Sequence, residues 1–592
     1  MKSRIVTIAV LLAAAATAPG LVLAQSGNGG YNESVVVRGS YRPVIEKSEK
    51  INFPATITDT LGRMEHDFQY SISPLRLKSF YEPTRIKAAR IVGEPVTKLY
   101  NNYIRLGAGN YWSPLADLYW SSTRDNVKTY GLRVNHRSSW GRIPCYGRNH
   151  FGQTGLTLFG KYIFADKLQL ASDLSYEHDH NLYYGFRDSL LADRGIDRDS
   201  IALSSIKASY NVATWNIGLK NMQLDPNKLG YAANVRVSDL WTVWGQNEFN
   251  LNLNGDIHYG FNINNQYKGV AFLHAELDGY THRHFTDTLM PYGYVPFDSI
   301  PDTVRGYRDI VKLNPFVDFV LGGFQFHAGF TAGWDAFTLD TATTFRFFPD
   351  VVVSKSLLKD ALVLSLGATG GFSANSWNTI RQINPYAAPG AEQRATRHYD
   401  FVLHARWNIS RKLEANAEVA FQMLQDDMTF TLDNQYSLRN VFRTMYVDDN
   451  RLTVGGTIAF VNDEMLTLSA GGHYYRYTYV DEKTPTATPD SGYLKPLYRP
   501  DWDALVSAKL NYHDKWLFYL EGQLLGGMRA DNGEMLPLRY GVAAEVEYRH
   551  NRALSFFLRM DNLAFQRYWF WQNYPSQRGL FIAGLTYTIP HK

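Results

Sequence analysis

The feature that most constrains this chain is a two-residue period sustained over runs of about ten to twelve residues, far beyond the usual globular strand. From Leu413, the positions Leu413, Ala415, Ala417, Val419, Phe421 and Met423 are apolar, while Glu414, Asn416, Glu418 and Gln422 lie between them. From Leu538, one face reads Leu538, Tyr540, Val542, Ala544, Val546, Tyr548, and the other carries Arg539, Glu545, Glu547 and Arg549. Trp502–Tyr512 repeats the pattern, as does the stretch from Leu168 to Glu177. Successive side chains of a strand point to opposite faces, so each run makes a two-faced strand. A tilted strand needs about 9–11 residues to cross a bilayer. Trp502 and Tyr512 cap both ends of one apolar face, as interfacial girdles do; a soluble sandwich has no need of such a ring.

Composition fits this reading. Mean hydropathy is −0.29 although 14% of residues are aromatic, which a lipid-facing wall around a polar lumen explains. The net charge of +4 gives no reason to expect a nucleic-acid partner. The single cysteine, Cys145, excludes a disulfide framework and any Cys-based metal site.

Lys2 and Arg4 precede an apolar run from Ile5 to Ala16, and Val22-Leu23-Ala24 precedes Gln25. This predicts an exported chain with a signal peptide at 1–24. Tight polar turns at 165–167, 410–412, 461–464, 513–515 and 550–552 alternate with long irregular stretches at 180–198, 284–307, 374–397 and 480–501. Their spacing predicts an all-β fold: a large transmembrane antiparallel β-barrel of about 20–22 strands over 99–592, with a short N-terminal periplasmic or plug-like extension. Its location is then the outer membrane of a Gram-negative bacterium, with outer-membrane lipids around it.

The final run, Phe581 to Ile589, contains Ile582, Gly584, Tyr587 and Ile589 in the spacing of a terminal barrel-assembly signal. Such a signal needs an apolar-faced edge strand that can pair with the assembly machinery before closure. Just upstream, Asp561-Asn562-Leu563, Tyr568, Tyr574-Pro575 and Arg578-Gly579 resemble the last hairpin of TonB-dependent receptors, although Arg578-Gly579 inverts the usual pair. Glu33-Ser34-Val35-Val36-Val37, within 25–40, resembles the box through which such receptors contact TonB. The resemblance implies strand addition of this segment to a sheet edge of TonB.

The pattern breaks at the plug. Members of that family place a far longer domain between box and barrel, whereas residues 41–98 here are short and punctuated by Pro43, Pro54, Pro74, Pro83 and Pro95. The layout is similar to plug-poor, receptor-like barrels of the Bacteroidetes. It implies transport across the outer membrane; a scaffold in an envelope complex and a passive porin-like channel are the alternatives. Inward-folded loops, a partner such as a periplasmic or surface lipoprotein, or water must fill the lumen.

Enzymatic chemistry has little support. No GxSxG, HExxH, Walker or EF-hand spacing occurs, so no catalytic residue and no cofactor is expected. Glu177-His178-Asp179-His180 and His282-x-His284 are the dense ligand-type clusters, and both read as polar loop-edge residues rather than metal sites. Asn181-Leu182-Tyr183-Tyr184 suits sugar stacking or loop packing equally, and Tyr568-Trp569-Phe570-Trp571 suits a membrane interface.

Overall fold

The structure, a computed structural model, describes residues 102–589 apart from 123–124, 126, 166, 187, 194, 198–199, 202, 223–227, 244, 264–266, 286–302, 338–342, 389–392, 433–440, 463–464, 481–496 and 532. The expected signal peptide at 1–24, the box at Glu33–Val37 and the 41–98 segment lie outside the described residues.

Twenty-two strands form one antiparallel sheet that closes on itself. Closure joins the first strand, Asn102–Gly109, to the last, Leu580–Ile589, in unbroken register from Asn102↔Ile589 to Gly109↔Ile582. The ring leaves no edge, so every strand finds ladder partners within the chain, the condition for sheet to exist in lipid. The alternating runs appear as the strands Leu413–Leu432, Trp502–Tyr512 and Arg539–Arg549.

The period sorts side chains as expected. Leu156, Leu366, Val454, Val506 and Leu520 are exposed on the outer wall. Trp502 and Tyr512 end one outward row at 36% and 52% exposure. Inward residues pair among themselves: Lys312 Nζ with Glu276 Oε2 at 3.0 Å, and Arg105 Nη2 with Glu545 Oε1 at 2.9 Å. Asn252 Nδ2 donates to Glu276 Oε1 at 2.8 Å. An apolar belt around a polar lumen in a closed ring is the build of a barrel embedded in the outer membrane.

The two ends differ. Asn102 and Ile589 lie at the end carrying the short turns, including 322–323, 411–412 and 513–515. At the other end lie 183–206, 375–394, 480–501 and 562–579. Short turns mark the periplasmic side and long loops the outer side. Wall height is uneven: Asn102–Gly109 and Leu115–Ser121 are short, while Leu413–Leu432 and Phe442–Asn462 are long. A β-bulge between Leu424 and Asp427 interrupts Leu413–Leu432, with Asp426 at φ 53°. It turns Asp426 toward Arg397 (2.8 Å) and Arg394 (3.3 Å).

Candidate functional site at the outer mouth

The largest apolar core among the described residues is not in the wall. It lies where the outer loops converge, and contains Tyr183, Trp377, Ile380, Val441, Phe442 and Tyr574, all nearly or fully buried. Three loops build its centre: 183–206, 375–394 and 562–579. They follow the fifth, thirteenth and twenty-first strands of the ring, so their roots are spread around the barrel rather than side by side. Loops rooted so far apart can touch only by reaching over the lumen.

They meet through tyrosines. Tyr386 stacks on Tyr574 with ring centroids 3.6 Å apart, and Tyr184 meets Tyr574 edge-on at 5.1 Å. The hydroxyls find backbone acceptors on the opposing loops. Tyr183 Oη donates to the carbonyl of Ala387 and Tyr184 Oη to that of Pro575, both at 2.8 Å. A second aromatic group joins Phe430, Phe442, Tyr498 and Trp571, with centroids 5.0–5.4 Å apart. Tyr498 Oη donates to Asp531 Oδ2 at 2.7 Å, which ties the loop at 527–538 to the same cap.

The loop at 375–394 carries its own support. Ser376 caps the short helix Trp377–Ile383, which places Trp377 and Ile380 in the core. Glu248, a buried residue of the strand Asn247–Ile263, accepts from the backbone N–H groups of Trp377 (2.6 Å) and Asn378 (3.2 Å). At the other end of the helix, Arg381 Nη1 donates to Asp179 Oδ2 of the strand Leu168–Leu182 at 2.8 Å. The helix is held by two acids of the wall, Glu248 at its first backbone N–H groups and Asp179 through the helix's own Arg381.

Burial sets the acid–base behaviour of the cap. It pushes the hydroxyl of Tyr386 up to about 12, and those of Tyr184 and Tyr498 above the ordinary tyrosine value; Asp531 adds to the effect on Tyr498. A raised acid favours the folded form below the ordinary value near 10, and that stabilisation is lost as pH rises through about 12. Absorbance at 295 nm should therefore show a tyrosine component that ionises late, reduced by Tyr386→Phe. Ionisation of all tyrosines in one step near 10 would contradict the packing.

The structure sorts the residues singled out from sequence. Tyr183 and Tyr184 belong to loop packing and are not open for sugars, and Trp569 and Trp571 pack against the cap core rather than a membrane interface. Asp179 and His178 diverge: Asp179 takes Arg381, whereas His178 Nδ1 lies 2.9 Å from Asn211 Oδ1. Among the described residues no group of three ligand-type side chains is placed to hold a metal. His282 stacks on Phe337; the side chain of His284 lies outside the described residues. Cys145 is free and exposed. On the last strand, Ile582 is buried and Tyr587 and Ile589 are exposed outward; Gly584 lies under the Phe557 ring. Glu248 and Tyr386 escaped sequence reading, since neither sits in a motif.

No family model matches the chain, and no curated protein matches it in sequence. Solved structures do. The ferric-catecholate import receptor Fiu of E. coli K12, in its closed form, superposes with a TM-score of 0.61 at 12% identity, over 83% of this chain and 82% of that one. The siderophore receptor PirA of Acinetobacter baumannii gives 0.58 at 10% identity, over 84% and 81%. The copper transporter OprC gives 0.57 at 9% identity, over 82% and 80%. At these identities the likeness is one of fold.

Proposed function

We propose that this chain is a TonB-dependent receptor-like importer of the outer membrane, of the Bacteroidetes type, whose outer mouth its own loops close at rest. The observation that carries the reading is the three-loop cap over the lumen of a 22-stranded barrel. A passive channel has no use for a packed apolar lid across its mouth. The names of the structural neighbours, two import or siderophore receptors and a copper transporter, support uptake rather than catalysis.

In this reading residues 1–24 direct export, and 25–40 hold the TonB-contacting segment Glu33–Val37. Residues 41–98 are a shortened plug remnant, and 99–592 form the barrel. Ile582, Gly584, Tyr587 and Ile589 serve recognition by the barrel-assembly machinery, and a surface lipoprotein is a natural partner above the cap. Deleting residues 33–37 should abolish growth that depends on this chain, across a panel of ferric siderophores and copper, while barrel levels stay normal. Unimpaired growth would remove energised import. A chain whose complete loss changes no uptake, yet disturbs envelope assembly, would be the scaffold instead.

A further inference from the structure

A basic patch on the outer wall has no part in the cap or the lumen. It spans the neighbouring strands Lys128–Ser139, Phe151–Phe164, Leu168–Leu182 and Lys207–Asn221. Their outward faces are marked by exposed Leu156, Leu158, Leu174, Tyr176 and Trp215. Toward the outer end on the same face, His136 pairs across to Thr154, Thr154 to His178, and His178 to Asn211. His136 Nδ1 lies 2.8 Å from Thr154 Oγ1. Tyr176 Oη donates to Asn211 Oδ1, also at 2.8 Å.

Two residues further along, His180 lies over Gly152, where a Cβ would come within 2.4 Å of the imidazole. Lys207, His178, His150 and His136 all lie within electrostatic reach of His180, and Arg148 acts likewise on His150. Every one of these neighbours is neutral or positive. The acids of the same sequence stretch, Glu177 and Asp179, fall on the opposite face by the strand period. Asp239, on the outward face of Gly230–Thr242, accepts from Asn247 at 2.8 Å.

We infer that this patch holds a phosphate group of a phosphorylated glycolipid in the outer leaflet. Its level fits: it begins where the lipid-facing leucines give way to Tyr176 and Trp241, rings that pack 6.2 Å apart as interfacial aromatics do. Its chemistry fits as well. His180 offers an N–H donor whether neutral or charged, while His136 is held by Thr154 and Ser138 and His178 Nδ1 by Asn211; Lys207 and Arg148 supply fixed charge. Asp239, the carboxylate on the same face, is held by Asn247 at the flank, so a lipid phosphate brings the anion that Lys207 and Arg148 face, at a surface where basic residues gain most from one. The inference depends on the outer-membrane location and not on transport.

The test uses the full chain purified in non-ionic detergent, titrated with bisphosphorylated lipid A, with the same lipid after phosphate removal, and with inorganic phosphate. The parent should bind the phosphorylated lipid. The combined His178→Ala, His180→Ala and Lys207→Ala variant should bind about fivefold more weakly or worse, the effect of one basic residue at an anionic surface. Lys207→Glu alone should weaken binding without touching the histidines. Lys359→Ala, in the periplasmic turn 358–361, should leave binding unchanged. Equal affinity of parent and combined variant, or equal affinity for the dephosphorylated lipid, would overturn the proposal. Displacement of the lipid by millimolar inorganic phosphate would also overturn it, by reassigning the patch to a free anion.

Discussion

Replacing residues 375–394 with a short Gly-Ser linker is expected to expose the lumen to the outside. The readout is a single cysteine below the cap. In a Cys145→Ser background, Ser469→Cys places a thiol on the inner wall, where Ser469 Oγ lies 2.7 Å from Ser507 Oγ. A bulky membrane-impermeant maleimide added to whole cells should leave this thiol unmodified in the closed barrel and label it nearly completely once the loop is gone. The loop contributes Trp377 and Ile380 to the core and Tyr386 to the tyrosine stack. Burial of one large apolar side chain is worth roughly 1.5–3 kcal/mol. Removing the whole contribution should open the centre of the cap, leaving the other loops only peripheral contacts such as Tyr184–Tyr574 and Phe442–Trp571. Glu248→Ala should give an intermediate rate, because hydrogen bonds to a charged group are worth about 1.5–3 kcal/mol and their loss frees only the helix end. Equal labelling of parent and loop variant would show that the cap does not seal the lumen.

Gly584→Val should abolish assembly rather than weaken it. A Cβ at Gly584 would lie 2.1 Å from the carbonyl oxygen of Leu106 and 2.6 Å from the Phe557 ring. No rotamer relieves a clash with backbone, so the two ring-closing strands would have to part. Valine is a good strand former, so propensity would not cause the failure. Ordinary overpacking costs about 1–3 kcal/mol, and here the strain falls on the seam that completes the ring. Heat-modifiable mobility on a denaturing gel should show no folded band, whereas Ala583→Val, facing lipid on the same strand, should assemble normally. A folded band for Gly584→Val would mean that the seam tolerates a register shift.

The wall was legible because its rule is local. Trp502 and Tyr512 announce their strand within eleven residues, and the pairing Trp502↔Gly526 to Tyr512↔Trp516 follows from one hairpin. The polar lumen follows from the same period. The cap was not legible, because its contacts join positions that carry no shared pattern. Tyr183 bonds to Ala387 across 204 residues and Tyr184 to Pro575 across 391. Nothing around Glu248 marks it as the acceptor for a helix that begins at Trp377. The Tyr568–Trp571 run misled for a related reason: a row of aromatics suits a membrane interface as well as it suits a core, and only the neighbouring loops decide. His178 and Asp179 were adjacent in sequence and so invited a shared role, but in a strand adjacency guarantees separation.

The joining of the first and last strands at the periplasmic end has a mechanical side. Asn102 is the point where tension from the preceding chain would enter the ring, and the simplest such load is a pull along the axis of Asn102–Gly109. That strand is bonded on one flank to Leu580–Ile589 and on the other to Leu115–Ser121. A pull in that direction loads both ladders in shear, so all their hydrogen bonds resist at once instead of parting one by one. The seam that closes the ring is thus also a part of the wall well arranged to carry an axial load.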